Sequence, residues 1–251
     1  MGDFTGKVAV ITGGCSGIGR ACALRFAGRG ARVAIIDYVD THAAEVLDEI
    51  NALTAGAYFA RADVADAGAV SDAMQAIADT LGRIDFLVNC AGISTANVAL
   101  ADYSLADWNR GIGINLSGTF HAMKYAIPVM LRNGGGAIVN LSSMMGQLAH
   151  PGGAAYVSSK HAVVGLGKAA ALDYAGQGIR VNTVGPGVID TPMTQSALAI
   201  DTVRAGMLAA TPMGRFGRAD EIAAVIAFLC SADASFITGA YYLVDGGIVL
   251  Q

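Results

Sequence analysis

Three side chains in the middle of the sequence could perform acid–base chemistry together. Tyr156 and Lys160 are four residues apart, and Ser143 lies thirteen positions before the tyrosine. A spacing of four places Tyr156 and Lys160 on one face of a helix. A neighbouring ammonium favours phenolate over phenol and so lowers the tyrosine pKa from about 10 toward neutral pH. Ser143 could then hold a substrate oxygen beside Tyr156, although such a triplet also arises by chance.

A glycine-rich turn near the start of the chain could hold a phosphate. Gly13, Ser16, Gly17, Ile18 and Gly19 follow a short apolar run and precede a helix-like stretch. Glycines let the backbone approach a pyrophosphate, and a helix N-terminus offers N–H donors and a positive dipole end. The spacing GxxxGxG differs from the general dinucleotide pattern GxGxxG. A tight turn that binds nothing is the alternative.

Asp37 ends the second apolar run, 18 positions after Gly19. A carboxylate at that place can accept hydrogen bonds from both hydroxyls of an adenosine ribose. It would repel a 2′-phosphate, which has no arginine partner in this pattern. We therefore expect NAD as the cofactor and regard NADP as the weaker alternative.

Small and polar residues also follow the third and fourth apolar runs, where the ligand crevice of a parallel sheet lies. We expect Asp63 to meet the adenine, and the small residues to leave room for the ribose. The further cofactor residues expected on this edge are Asp63, Val64, Asn89, Ala91 and Gly92. Each could instead simply begin a loop.

Seven short apolar runs alternate with longer helix-like segments, which predicts an α/β protein with a doubly wound parallel sheet and helices on both faces. The predicted strands are residues 7–12, 32–37, 57–61, 84–89, 137–141, 179–184 and 241–244. The predicted helices are residues 17–29, 41–53, 67–81, 105–131, 154–177 and 219–231. No linker interrupts the chain, so we expect one domain over residues 1–251. Residues 186–217 are the least regular part and are expected to form a substrate loop.

Composition excludes several classes of protein. Of 251 residues, 54% are hydrophobic and 14% charged, and the net charge of −4 with scattered basic residues argues against a nucleic-acid partner. Residues 134–159 lack charge but contain too many polar residues and glycines for a membrane span, and we expect no membrane partner. The four cysteines have neither disulfide nor zinc spacing, and no signal peptide is visible. We expect a cytoplasmic protein without a metal.

The order of these motifs resembles the short-chain dehydrogenase/reductase superfamily, in its single-domain branch, from about residue 7 to residue 247. The residues that carry the resemblance are the turn from Thr12 to Gly19, the NNAG-like Asn89-Cys90-Ala91-Gly92, the set Asn115, Ser143, Tyr156 and Lys160, the loop from Pro186 to Thr191, and the ending Val244-Asp245-Gly246-Gly247. Cys90 stands where this family has a second asparagine.

The resemblance implies a Rossmann-type fold and a role for each motif residue. Tyr156 would be the general acid and base, Lys160 would lower its pKa and hold the nicotinamide ribose, and Ser143 would orient the substrate oxygen. Asn115 would hold a water that joins Lys160 to solvent, and a local helix distortion there would suit that role. The nicotinamide would also contact Pro186, Gly187, Val188, Ile189, Thr191 and Met193. The candidate substrate residues are Met145, Gln147, His150, Gly187 and Met193.

These features predict an NAD-dependent oxidoreductase for a small secondary alcohol or ketone, with an apolar or cyclic body. An NADPH-dependent 3-oxoacyl-carrier-protein reductase and a glucose-type sugar 1-dehydrogenase are alternatives. A catalytically silent nucleotide-binding or regulatory protein is a third, which the intact catalytic set opposes. The family also suggests a homotetramer, and the helix predicted over residues 154–177 carries only Lys160, Lys168 and Asp173 as charges.

Overall fold

The computed structural model describes residues 4–250, and residues 1–3 and 251 of the expected domain lie outside the described residues. Its strands are β1 (Val8–Thr12), β2 (Arg32–Asp37), β3 (Tyr58–Arg61), β4 (Phe86–Asn89), β5 (Gly136–Leu141), β6 (Ile179–Pro186), β7 (Ile189–Asp190), β8 (Gly217–Arg218) and β9 (Tyr241–Val244). Seven of them form one parallel sheet in the order β3-β2-β1-β4-β5-β6-β9, and β7 and β8 pair separately. This confirms the predicted doubly wound sheet.

The helices pack on both faces of this sheet. They are α1 (Gly17–Ala27), α2 (Ala43–Leu53), α3 (Ala67–Leu81), α4 (Leu105–Ile112), α5 (Gly118–Arg132), α6 (Ala154–Tyr174), α7 (Pro192–Leu198), α8 (Asp201–Ala209) and α9 (Ala219–Cys230). Among residues 4–250, no helix is long and apolar enough to cross a membrane.

Strand β1 shows why the apolar runs are continuous. Ala9 and Ile11 point into the core under α1, α2 and α9, whereas Val8 and Val10 point into the core under α3 and α5. Side chains alternate between the two faces of a strand, so a strand covered on both faces must be apolar at every position. Burial of both faces fixes the central sheet and therefore the edge where the strands end.

Two predicted segments differ in the structure. The helix predicted over residues 105–131 is divided into α4 and α5 by a π-helical turn, Gly113–Ser117, which contains Asn115. This confirms the expected distortion at that residue. The segment 186–217 is not irregular, because it contains β7, α7, α8 and the start of β8. Its low hydrophobic periodicity reflects two short, largely exposed helices that bury no residue fully.

Candidate active site

A cleft of about 630 Å³ lies at the carboxyl ends of the central strands. The chain order reverses between β1 and β4, and such a switch point is where open parallel sheets bind ligands. The predicted site residues that line it are Gly13, Ser16, Gly17, Ile18, Gly19, Asp37, Asp63, Val64, Ala91, Gly92, Ser143, Tyr156, Lys160, Pro186, Gly187, Ile189, Thr191 and Met193. The structure thus brings both ends of the predicted site into one cavity.

Six predicted residues do not line this cleft. They are Asn89, Asn115, Val188, Met145, Gln147 and His150. Asn89 and Asn115 are buried beneath it, and Gln147 and His150 are exposed on the segment before α6. His150 turns its Nδ1 toward the carbonyl of Pro151, 2.8 Å away. In this conformation His150 and Gln147 face solvent and not the cavity.

The glycine turn is shaped so that a ligand can approach its backbone. Gly13 and Gly17 have positive φ angles of 67° and 50°, a region that favours glycine. A Cβ atom on Gly19 would overlap the carbonyl oxygen of Gly13. Ser16 precedes α1 without capping it, so the first N–H groups of this helix have no side-chain partner. The turn therefore offers unshared donors and a helix dipole to an anion, as a dinucleotide pyrophosphate requires.

The Asp37 carboxylate is held in place at the end of β2. Its Oδ2 accepts a hydrogen bond from the N–H of Cys15 at 3.0 Å, and its Oδ1 accepts one from the N–H of Val39 at 3.1 Å. Burial, together with this carboxylate, raises the pKa of the Cys15 thiol to about 12. The thiol is therefore neutral.

Arg61 lies opposite Asp37 in the register of β2 and β3. Its Nη1 is 3.3 Å from Oδ2 of Asp40, and its Nε donates to the carbonyl of Tyr38 at 3.4 Å. The sequence analysis missed this arginine. Its guanidinium belongs to the residue opposite Asp37 and is already paired with Asp40. The strand register alone carried this signal, because Arg61 ends the predicted third strand.

Asn115 joins three parts of the site from beneath. Its Oδ1 accepts from the N–H of Ile93 at 2.8 Å, and its Nδ2 donates to the carbonyl of Ile93 at 3.0 Å and to Oγ of Ser159 at 3.4 Å. The Asn115 carbonyl accepts from the Thr119 hydroxyl at 3.1 Å. The Asn115 side chain thus ties the loop after β4 to α6.

Lys160 is 5% exposed and donates to the carbonyl of Leu141 at 3.0 Å. Burial lowers its pKa to about 8, and the nearby Cys90 thiol opposes this only in part. The ammonium lies 5.6 Å from the centroid of the Tyr156 ring. Lys160 is therefore a desolvated cation directly under the tyrosine.

The pKa of Tyr156 is set mainly by burial. Burial raises it, and the hydrogen bond with the Ser143 hydroxyl offsets only part of that rise. The Lys160 ammonium lies 5.6 Å from the ring centroid and donates to the carbonyl of Leu141. The Ser143 hydroxyl favours the phenolate, but burial outweighs it.

Ser143 itself is held by the backbone. It begins a short 3₁₀ turn, Met144–Gly146, and its Oγ accepts a hydrogen bond from the N–H of Met145 at 3.2 Å. The serine proton is left for another acceptor. Ser143 can therefore donate to Tyr156 or to a substrate oxygen that sits between them.

The sequence analysis missed twelve residues that line the cleft. They are Ile36, Tyr38, Val39, Ala62, Cys90, Ile93, Arg110, Ile114, Leu141, Ser142, Pro192 and Thr194. Most adjoin predicted site residues, and this adjacency was the only available signal. Arg110, on the last turn of α4, is the exception, because only the packing of α4 beside the cleft reveals it.

Within residues 4–250, no three His, Cys, Asp or Glu side chains converge in a way that could hold a metal ion.

Comparison with known proteins identifies the family. The family model described as Enoyl-(Acyl carrier protein) reductase matches residues 13–249. The chain is 42% identical over 243 residues to a cyclohexanol dehydrogenase from Acinetobacter sp. (strain SE19), covering 97% of this chain and 95% of that protein. It is 43% identical over 248 residues to a D-threitol dehydrogenase from Mycolicibacterium smegmatis (98% and 94%).

A solved structure agrees with these sequence matches. The crystal structure of levodione reductase superposes with a TM-score of 0.94 at 34% identity, covering 98% of this chain and 99% of that one. Fold, motif order and sequence similarity over nearly the whole chain point the same way. The chain belongs to the short-chain dehydrogenase/reductase superfamily, the oxidoreductases that act on alcohol and carbonyl groups with a nicotinamide cofactor.

Proposed function

We propose that this protein is an NAD-dependent dehydrogenase of small secondary alcohols, or the reductase of the corresponding ketones, with a preference for apolar or cyclic substrates. The observation that carries the proposal is that Ser143, Tyr156 and Lys160 share one cleft with the glycine turn and Asp37. Acid–base groups and a dinucleotide cradle in one cavity are what a hydride-transfer enzyme requires.

The residues present fit a nicotinamide dinucleotide. The glycine turn and the start of α1 would hold its pyrophosphate, and Asp37 its adenosine ribose. Asp63 and Val64 would lie at the adenine, and Ala91, Gly92, Tyr156 and Lys160 near the nicotinamide ribose. The residues proposed around the nicotinamide are Pro186, Gly187, Val188, Ile189, Thr191 and Met193. When bound, this cofactor supplies or accepts the hydride.

Tyr156 would move the proton that accompanies the hydride. In the reducing direction its hydroxyl donates a proton to the carbonyl oxygen, and in the oxidising direction its oxygen removes the proton from the alcohol. Ser143 would donate a hydrogen bond to the same substrate oxygen and polarise it. Lys160, buried under the ring, would supply positive charge as the phenolate forms.

Asp37 supports the choice of NAD. Both of its oxygens already accept backbone hydrogen bonds, which fixes their remaining lone pairs for the ribose hydroxyls. A 2′-phosphate would meet this carboxylate at short range. Arg61, the nearest guanidinium across the strand pair, is paired with Asp40 and does not neutralise Asp37.

Apolar side chains support the substrate class. Ile93, Leu141 and Met193 line the cleft that contains Tyr156. Burying hydrocarbon against such side chains contributes roughly 25 cal/mol per Å². A cyclic or branched hydrocarbon body therefore suits this part of the site.

Exposed apolar residues support our proposal of a homotetramer. Leu105 on α4 and Leu172 on α6 are 80% and 85% exposed, and Phe236 before β9 is fully exposed. These side chains lie on the two regions, α4 to α6 and the C-terminal strand, where the family resemblance suggests interfaces. Burial in an oligomer would remove them from water. A sedimentation mass equal to one chain would contradict this proposal.

The free state of Cys15, Cys22, Cys90 and Cys230 supports a reducing compartment such as the cytoplasm.

The test is turnover measured by reduced-nicotinamide absorbance. NAD and NADP are assayed in parallel with cyclic and acyclic secondary alcohols, an aldose and hydroxy acids, and NADH and NADPH in parallel with a 3-oxoacyl thioester. We expect NAD-linked oxidation of a cyclic alcohol, and a loss of about 10²- to 10⁴-fold in kcat for Tyr156→Phe. Tyr174→Phe, on the same helix, is the matched control and should retain full activity.

Other outcomes would favour the alternatives. Preference for NADP together with the 3-oxoacyl thioester would indicate an acyl-carrier-protein reductase, and preference for the aldose would indicate a sugar dehydrogenase. NADH binding without turnover of any substrate would indicate a silent regulatory protein.

A further inference from the structure

Tyr241 lies beneath the turn that carries Ser143. It begins β9, at the edge of the sheet next to β6, and its side chain extends under residues 142–146. Two glycines make room for it. A Cβ atom on Gly185 would lie 2.5 Å from the Tyr241 hydroxyl oxygen, and one on Gly146 would lie 2.9 Å from the same atom. The phenol therefore occupies a space that exists only because both neighbours lack side chains.

The Tyr241 hydroxyl donates a hydrogen bond to the carbonyl oxygen of Ser143. On the other side of the turn, the Ser142 hydroxyl donates to the carbonyl of Lys160 at 2.8 Å. The Ser142–Ser143 segment is thus tied to β9 through the Ser143 carbonyl and to α6 through the Ser142 side chain. Because α6 also carries Tyr156, these two ties set the position of Ser143 relative to the tyrosine.

We propose that Tyr241 is a positioning residue of the reaction, which acts through Ser143. By holding the Ser143 carbonyl, its hydroxyl orients the Ser143 side chain toward Tyr156 and toward the substrate oxygen. This inference rests on the proposed dehydrogenase function. Tyr241 is not among the residues that line the cleft, so it does not touch the substrate.

Only the hydroxyl carries this role. A phenylalanine would fill the space between Gly146 and Gly185 equally well but would leave the Ser143 carbonyl without its donor. Loss of one neutral hydrogen bond changes stability only modestly. Misplacement of a catalytic group by about 1 Å can cost about a hundredfold in rate. Rate should therefore respond more strongly than stability.

The groups that could influence the titration of Tyr156 come from four elements. Lys160 faces its ring from α6, and Ser143 hydrogen-bonds its hydroxyl from the turn after β5. Cys90, which follows β4, interacts electrostatically with Lys160. Tyr241 of β9 interacts electrostatically with Tyr156 and with Asp245, which follows that strand. Burial raises the pKa of Tyr241 to about 12, so that Tyr241 stays neutral in the range where the enzyme would work.

The test compares Tyr241→Phe with Tyr242→Phe in the full-length enzyme. Tyr242 is the next residue of β9, is likewise half-buried, and packs in the core on the opposite face of the sheet. Kinetic constants are referred to the concentration of sites that bind NADH, so unfolded protein does not count as lost rate. For Tyr241→Phe we expect kcat to fall between about 5- and 50-fold with an unchanged Kd for NADH, whereas Tyr242→Phe should match the wild type.

A second readout does not need turnover. With tyrosines ¹³C-labelled at Cζ, the Tyr156 resonance is identified by its absence in Tyr156→Phe, and its pKa is measured without cofactor. We expect Tyr241→Phe to raise this pKa, because a loosened Ser143 no longer stabilises the phenolate. Wild-type values of both kcat and the Tyr156 pKa in Tyr241→Phe would overturn the proposal. If the wild type turned over no substrate, the proposed function would fail, and the resonance would still decide the role of Tyr241.

Discussion

The ammonium nitrogen of Lys160 lies 5.6 Å from the centre of the Tyr156 ring and donates to the carbonyl of Leu141 at 3.0 Å. A buried cation is thus held by one backbone oxygen, directly beneath the proposed acid–base tyrosine. Removing a charge from water is costly unless its partners compensate. The burial of this ammonium therefore destabilises the folded protein, and we expect the same positive charge to stabilise negative charge that develops on Tyr156.

This burial predicts an unusual dependence of stability on pH. The folded pKa of Lys160 is about 8, below its ordinary value of 10.5. Between these values the unfolded chain binds the additional proton, so the free energy of unfolding should rise with pH across that window. The expected rise is on the order of 3 kcal/mol, because one pKa unit corresponds to about 1.4 kcal/mol.

Urea unfolding of Lys160→Met between pH 7 and 10 tests this prediction. The variant should be inactive yet more stable than the wild type at pH 7. The rise of the free energy of unfolding with pH that Lys160 causes should disappear. Lys168→Met, an exposed lysine on the same helix, should leave the slope as it is. Parallel slopes in wild type and Lys160→Met would mean that Lys160 is not desolvated.

Replacement of Asp37 by alanine should change the cofactor preference. The variant loses charged acceptors for the ribose hydroxyls, so kcat/KM with NAD should fall by about 10- to 100-fold. It also removes the repulsion of a 2′-phosphate and leaves Arg61 opposite the vacated position, so kcat/KM with NADP should rise. Initial rates with both cofactors measure the ratio, and the exposed Asp48→Ala serves as control. An unchanged ratio would contradict the role given to Asp37.

Gly19→Ala should damage the cofactor site without unfolding the protein. The added Cβ would collide with the carbonyl of Gly13, so the turn must open and its N–H donors must move. NADH binding, followed by fluorescence titration, should weaken by about tenfold or more. Gly206→Ala is the matched control, since α8 has open space at that position, and it should raise stability by about 0.4–1 kcal/mol. Equal NADH affinity in both variants would argue against a phosphate at this turn.

Asp85 should stabilise the opposite edge of the sheet in a pH-dependent way. It accepts hydrogen bonds from Arg83 at 2.6 and 2.7 Å, from the N–H of Val8 at 2.9 Å and from Lys7 at 3.1 Å. Burial favours the neutral acid, but these bonds outweigh it and lower the pKa of Asp85. The stabilisation is therefore complete above the ordinary value of 3.8 and is lost as the pH falls through the lower folded pKa.

Asp85→Asn should cost about 2 kcal/mol at pH 7, less than a fully buried pair because Arg83 and Lys7 are partly exposed. The difference from wild type should shrink in acid as Asp85 itself becomes protonated. Chemical unfolding at several pH values measures it, with the exposed Asp233→Asn as control. If the difference in free energy of unfolding between Asp85→Asn and the wild type stays constant down to the lowest pH measured, the charge of Asp85 is not responsible for it.

The sequence by itself determined the sheet, the glycine turn and most of the cleft. Apolar runs that bury both faces leave little choice but parallel strands between two helical layers. Gly13 follows β1, Gly17 begins α1 and Asp37 ends β2 at the same edge, so chain order was sufficient to bring them together. The distortion at Asn115 was also predictable, because asparagine disfavours the middle of a helix.

Only the tertiary structure decided the features that depend on contacts between distant segments. Tyr241 reaches Ser143 across 98 positions of the chain, and no local pattern reports such a contact. The burial of Tyr156, which raises its pKa, likewise follows from how α6 packs beside the turn after β5. The exposure of Gln147 and His150, and the helices within residues 186–217, likewise depend on how each segment packs, because their polar residues suit loop and surface helix equally well.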